Sequence, residues 1–221
     1  MIRFLAWGVG TGKTKASLDG ARAAGASKII VYAPAVLKAI HHWENEATKW
    51  GCEIPMEVHT YHRLQQYSKN KLEHKLPDGG KGIAIIIDEA QKIKNSQSQQ
   101  GLGAFKLVRD NPEASIWLLS GTPAPNGYVD FCNYAKMTGL VNNKTDFFNR
   151  YVIEVRYRGF PEIKGYHNTD ELDKWWREIA DINPPRVFTS ENDLWIDLPH
   201  VQEELYAKRT RVGVMYGTTY I

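Results

Sequence analysis

The chain has 221 residues, and at about 150 residues per domain that is one large domain or one domain plus a fragment. Lys and Arg number 28 against 25 Asp and Glu, a net charge of +3, which argues against a nonspecific polyanion binder but leaves room for a local basic groove. With 43% hydrophobic and 24% charged residues the composition is that of a folded globular protein, not a disordered one. No apolar run approaches the ~18 residues of a membrane span, and Met1 to Trp7 is too short for a signal peptide. Two cysteines, Cys52 and Cys132, make neither a disulfide framework nor a zinc site, so free buried thiols in a reducing, intracellular compartment are expected.

Short apolar runs alternate with helical stretches over the first two thirds of the chain. Ile2 to Trp7 reads as a strand, Lys13 to Ala24 as a helix, and Lys28 to Tyr32 as a β-branched strand. Ala35 to Trp50 reads as one helix and Met56 to His59 as a short strand. Ile83 to Ile87 is almost wholly apolar, the pattern of a strand buried on both faces. Gln99 to Arg109 is a further helix and Ser115 to Leu119 a further strand. This βαβα rhythm predicts an α/β fold with a mostly parallel sheet and helices on both faces. The rhythm stops near Ser120. Val129 to Met137, Thr145 to Tyr151 and Asp170 to Ile179 read as helices, Arg156 to Tyr166 as a loop or hairpin, and Asn183-Pro184-Pro185 as a breaker.

Two features carry chemistry. Gly8-Val-Gly-Thr-Gly-Lys-Thr14 lies between a predicted strand and a predicted helix, the context of a P-loop. Glycines let backbone N–H groups turn inward on an anion, and the helix dipole adds to that field. Gly10, Thr11, Gly12, Lys13 and Thr14 are the nucleotide-binding candidates. Lys13 would reach the β- and γ-phosphates, and the Thr14 hydroxyl would sit on Mg²⁺. Trp7 stands where a glycine or alanine is usual. The second feature is Ile85-Ile-Ile-Asp-Glu-Ala-Gln91, two carboxylates at the end of a buried strand. Asp88 is the expected metal ligand, and Glu89 the group that orients the attacking water.

Taken in order, Gly10-Thr-Gly-Lys-Thr14, Asp88-Glu-Ala-Gln91 and Ser120-Gly-Thr-Pro123 resemble motifs I, II and III of superfamily-two helicases and translocases. Asp88-Glu-Ala-Gln-Lys-Ile-Lys-Asn95 and Leu119-Ser-Gly-Thr-Pro-Ala-Pro-Asn126 are similar to the corresponding stretches of the Swi/Snf-type DNA translocases. Gln91 stands where many of those relatives have His. Ile30 to Leu37 resembles motif Ia, Thr60 to Leu64 motif Ib, and Phe147 to Val152 the family's Phe-x-x-Arg-Tyr element.

The resemblance implies the first, RecA-like lobe of a DNA-dependent ATPase. Residues 1–126 would be the nucleotide-binding core, 127–200 a helical extension completing the lobe, and 201–221 its end. It implies ATP and Mg²⁺ as ligands, with Glu89, Lys13 and Gln91 in catalysis. Ser120, Gly121 and Thr122 would couple nucleotide state to DNA contact. Pro34, Lys38, Thr60, Tyr61 and Arg63 are the implied contacts to a nucleic-acid backbone, with duplex DNA favoured. Trp43 and Trp50, seven apart, read as packing residues. The sequence shows no glutamine-containing element ahead of motif I and no motifs IV to VI. A second lobe in cis or in trans, slow hydrolysis without it, and an intracellular or phage setting are therefore expected. The alternative reading is a truncated, non-catalytic module that binds nucleic acid or a partner.

Overall fold

The computed structural model describes residues 1–157 and 160–183. The elements run β1 (Ile2–Trp7), α1 (Lys13–Ala23), β2 (Lys28–Ala33), α2 (Ala35–Ala39), α3 (His42–Lys49), β3 (Met56–Thr60) and α4 (Tyr61–Ser68). They continue with β4 (Ile83–Asp88), α5 (Gln99–Arg109), β5 (Ser115–Leu119), α6 (Cys132–Thr138), α7 (Lys144–Tyr151), β6 (Val152–Tyr157), β7 (Phe160–Tyr166), α8 (Thr169–Ile179) and β8 (Ala180–Asn183). Six strands form one parallel sheet in the order β3-β2-β4-β5-β1-β8, and β6 and β7 form an antiparallel hairpin.

The period-2 pattern of the strands divides the core into two layers. Ile30, Tyr32, Ile85, Ile87, Ile116 and Leu118 face one side, where α4 to α8 contribute Leu64, Leu107, Tyr134, Phe147 and Trp176. Ile29, Val31, Ala84, Ile86 and Leu119 face the other, against Leu18 and Ala21 of α1 and Trp43 and Ala47 of α3. The expected α/β fold with helices on both faces is what the chain adopts. None of the described helices is long and apolar enough to cross a membrane.

The structure departs from the sequence reading in five places. Ala35 to Trp50 is two helices, broken where His41 takes a left-handed φ of 52°. Motif Ib continues into α4, whose Tyr61, Leu64 and Tyr67 are buried. The stretch from Val129 begins as a 3-10 turn, Tyr128–Phe131, before α6. After α8 the chain returns to the sheet: β8 pairs with β1, with Leu5 opposite Asp181 and Trp7 opposite Asn183. Arg156 to Tyr166 is a hairpin whose β6 strand already starts at Val152. The last part of the 127–200 extension from residue 184, the 201–221 segment and with them Pro184-Pro185 lie outside the described residues.

Both cysteines are free, Cys132 buried and Cys52 half-buried.

Two glycines let helices approach closely. A Cβ on Gly103 of α5 would stand 1.8 Å from the Leu64 carbonyl oxygen of α4. One on Gly101 would stand 2.0 Å from the Asn95 carbonyl oxygen.

Candidate nucleotide site at the sheet edge

The segments with motif character follow the C-terminal ends of adjacent parallel strands, the edge where open α/β sheets bind ligands. The P-loop follows β1, motif Ia β2, motif Ib β3, motif II β4 and motif III β5. The registers level them: Ala33 pairs with Thr60, Tyr32 with Ile87, and Leu119 with both Asp88 and Leu5. Because β5 lies between β1 and β4, motif III stands between the P-loop and the acidic pair.

In the P-loop, Gly10 has φ 74° and Gly12 φ 89°, the left-handed conformations that turn successive N–H groups to one side. Thr11 Oγ1 donates to the Gly8 carbonyl at 2.7 Å and fixes the turn. The Lys13 ammonium donates to the carbonyls of Trp7 and Gly8, at 2.8 Å each, so it lies folded against its own loop. Burial lowers the Lys13 pKa, and the nearby Glu89 and Asp88 oppose that shift. Motif III closes on the same loop: Ser120 N donates to the Leu5 carbonyl, and Gly121 lies against Trp7 and Gly8.

At the end of β4 the chain turns sharply. Glu89 adopts φ 55°, ψ 50°, a conformation that costs a β-carbon-bearing residue about 1–2 kcal/mol. Its own N–H donates to Asp88 Oδ1 at 2.9 Å. The other Asp88 oxygen accepts the indole N–H of fully buried Trp43 at 3.3 Å. Burial, with Glu89 next to it, raises the Asp88 pKa. From beneath, the Tyr61 hydroxyl donates to the carbonyls of Asp88 and Glu89, and the Tyr134 hydroxyl donates to that of Ala90.

A chain of side chains links the motifs. Gln91 Nε2 donates to Glu89 Oε2 at 2.6 Å, and Ser120 Oγ donates to Gln91 Oε1 at 2.6 Å. Ser120 Oγ in turn accepts from Thr122 N at 3.0 Å. Further along, Lys94 pairs with Asp130 at 2.7 Å, and Asn126 N donates to the same carboxylate at 2.8 Å. The ends of the motif II and motif III segments are thereby tied together.

A metal fits here as a shared ligand, not in a dedicated cage. Among the described residues no three His, Cys, Asp or Glu side chains converge. Mg²⁺ in phosphoryl-transfer sites commonly takes one or two protein oxygens and completes its shell with phosphate and water. The buried Asp88 carboxylate, held only by neutral donors, and the Thr14 hydroxyl at the start of α1 suit that arrangement.

The groups inferred for the nucleic-acid face fare unequally. Lys38 is exposed, and Pro34 and Thr60 are partly exposed at the ends of β2 and β3. Arg63 is half-buried, with its Nε donating to the Tyr67 hydroxyl at 2.7 Å. Tyr61 is corrected: it is 5% exposed and its hydroxyl is spent on motif II carbonyls, so it supports the acidic turn from inside. Trp43 is core, as its spacing predicts. Trp50 is not, because α3 ends at Lys49 and leaves it 38% exposed.

This parallel sheet with helices on both faces is an α/β, RecA-like lobe. Residues 58–155, from β3 through most of β6, match the family model of the SNF2-related domain. That match covers less than half of the chain and supports a likeness to the N-terminal lobe of Swi/Snf-type superfamily-two ATPases. The glycine-rich loop between β1 and α1 lies ahead of the matched stretch. No curated protein matches the chain.

Proposed function

We propose that this chain is the ATP-binding lobe of a DNA-dependent ATPase motor, taking ATP with Mg²⁺ and contacting a nucleic-acid backbone. The observation that carries the reading is the continuous link from the Ser120 hydroxyl through Gln91 to Glu89, beside a P-loop with two left-handed glycines. The match of residues 58–155 to the SNF2-related domain supports it.

The residues divide the work by chemistry. The P-loop N–H groups and the start of α1 receive the phosphates. Lys13 exchanges its two carbonyl partners for phosphate oxygens and so delivers a positive charge that is already partly desolvated. Asp88 and Thr14 would hold Mg²⁺, which supplies neutralisation of charge on the transferred phosphoryl group. Glu89 accepts a hydrogen bond from the attacking water and aligns it. Gln91 fixes the Glu89 carboxylate, and Ser120 fixes Gln91. A displacement of motif III is therefore felt at the water-orienting group. Pro34, Lys38, Thr60 and Arg63 form a face for backbone phosphates, with duplex DNA the favoured partner. The other half of that channel, and the arginine that completes the transition state, come from a second lobe in cis or in trans.

The test is nucleotide titration of the 221-residue chain with turnover measured alongside. ATP·Mg binds, Lys13→Ala abolishes binding, and Glu89→Gln binds without turnover. Hydrolysis by the monomeric chain is slow and little stimulated by DNA. Fast DNA-stimulated turnover from the monomer, or nucleotide binding indifferent to Lys13→Ala, would overturn the proposal.

A further inference from the structure

A groove of about 550 Å³ lies between the P-loop, Gly10 to Lys15, and α3, where His42, Glu46, Lys49 and the following Trp50 form its wall. That volume lies in the range of small-molecule clefts. Phosphates held by the P-loop would leave the remainder of a nucleotide to extend outward, and the large apolar surface along this groove is the Trp50 indole. Trp50 is held in place although it is partly exposed. Its Nε1 donates to Glu46 Oε2 at 2.8 Å. Its carbonyl and that of Gly51 accept from the Arg22 guanidinium of α1, at 3.5 and 3.1 Å. An exposed indole with its edge and backbone both anchored is a preorganised flat surface, which reduces the ordering cost of binding.

The surroundings match the same ligand. The Lys15 and Lys49 ammonium groups lie 5.2 and 5.0 Å from the Trp50 ring centroid. Each is also held by a carboxylate on its own helix, Asp19 at 2.5 Å and Glu46 at 3.1 Å. Both ammonium groups lie over the ring, so a base stacking there displaces them from its face, and their charge then lies beside the phosphates that the base carries. We infer that Trp50 is the stacking platform for the base of the nucleoside triphosphate whose phosphates occupy the P-loop, with Lys15 and Lys49 beside the sugar-phosphate chain. This rests on the nucleotide-binding reading above and adds the residue that holds the base. Stacking discriminates a nucleotide from bare phosphate, a distinction that P-loop N–H groups alone cannot make.

The experiment compares ATP·Mg with inorganic triphosphate·Mg by calorimetric titration of the full chain. Wild type binds ATP more tightly than triphosphate. Trp50→Ala weakens ATP by about 10-fold, within the usual worth of one base–aromatic stack, and leaves triphosphate unchanged. Trp50→Phe retains most of the ATP affinity, which separates stacking from the hydrogen bond to Glu46. If Trp50→Ala binds ATP as wild type does, or loses triphosphate equally, the platform assignment is wrong. If Lys13→Ala loses both ligands in that same series, the nucleotide reading stands without it. If wild type binds neither ligand, both fall together.

Discussion

The Trp43–Asp88 contact offers the sharpest test of how the acidic turn is built. Trp43 is fully buried in α3, 45 residues from Asp88 in sequence, and its indole N–H reaches the carboxylate at 3.3 Å. A hydrogen bond to a charged acceptor contributes about 1.5–3 kcal/mol, and a bond this long belongs at the lower end. Trp43→Phe keeps most of the packing and removes that donor. Asp88→Ala removes the acceptor. Both variants lose core or polar contacts of their own, so only the difference between the double mutant and the sum of the singles isolates the bond. We expect a coupling energy of about 1.5 kcal/mol from urea unfolding at pH 7 without nucleotide. Trp43→Ala, which empties the whole site, should cost about 3–5 kcal/mol. Additivity within about 0.5 kcal/mol would refute the reasoning, since it would mean that Asp88 is held by its neighbour's backbone alone.

Three further outcomes follow from the packing and charge. Gly103→Ala drives a Cβ onto the Leu64 backbone carbonyl, so α4 and α5 must separate, and thermal unfolding should show a loss of at least about 2 kcal/mol where an exposed helix would gain. Lys94→Ala leaves the buried Asp130 carboxylate without its cation, and denaturant unfolding should register a loss of about 3 kcal/mol, much of it recovered by adding Asp130→Asn. The Arg109 guanidinium, with His74 on the other oxygen, holds the Asp110 carboxyl below its usual value. That stability is present above the ordinary carboxylate pKa and is lost as pH falls through the lowered one, so Asp110→Asn should flatten the acid limb of a stability–pH curve. An unchanged acid limb would show that the pair contributes nothing.

The sheet was legible because its signal is local. Ile83 to Ile87 reads as a strand buried on both faces, and Ala84 and Ile86 do pack opposite Ile85 and Ile87. The P-loop and the acidic strand end were legible for the same reason, since each is a run of adjacent residues. What escaped depends on distant partners. β8 is four residues with exposed Ile182, and what makes it a strand is pairing with β1, some 175 positions earlier in the chain. The break at His41 carries no glycine or asparagine to announce a left-handed residue, and it moves Trp50 off the buried face. Tyr61, Leu64 and Tyr67 have the spacing of one buried helix face, but which face α4 turns to the sheet depends on packing that the stretch itself does not state. The Gln91 link from Glu89 to Ser120 needs β5 inserted between β1 and β4, which no local pattern states.

The place of β1 between β5 and β8 has a consequence for how the lobe is made. Its neighbours in the sheet, β5 and β8, begin at residues 115 and 180, so the strand that ends in the P-loop emerges first and is flanked on both sides last. Contacts of such sequence separation form slowly, because long loops must close before they are rewarded. During synthesis β2, β3 and β4 can pair among themselves while β1 waits, its apolar Phe4 and Leu5 uncovered. The strand that leads into the glycine-rich loop is thus flanked last, and a nascent chain halted before residue 180 would carry the segments resembling motifs I to III while its first strand still had an open edge.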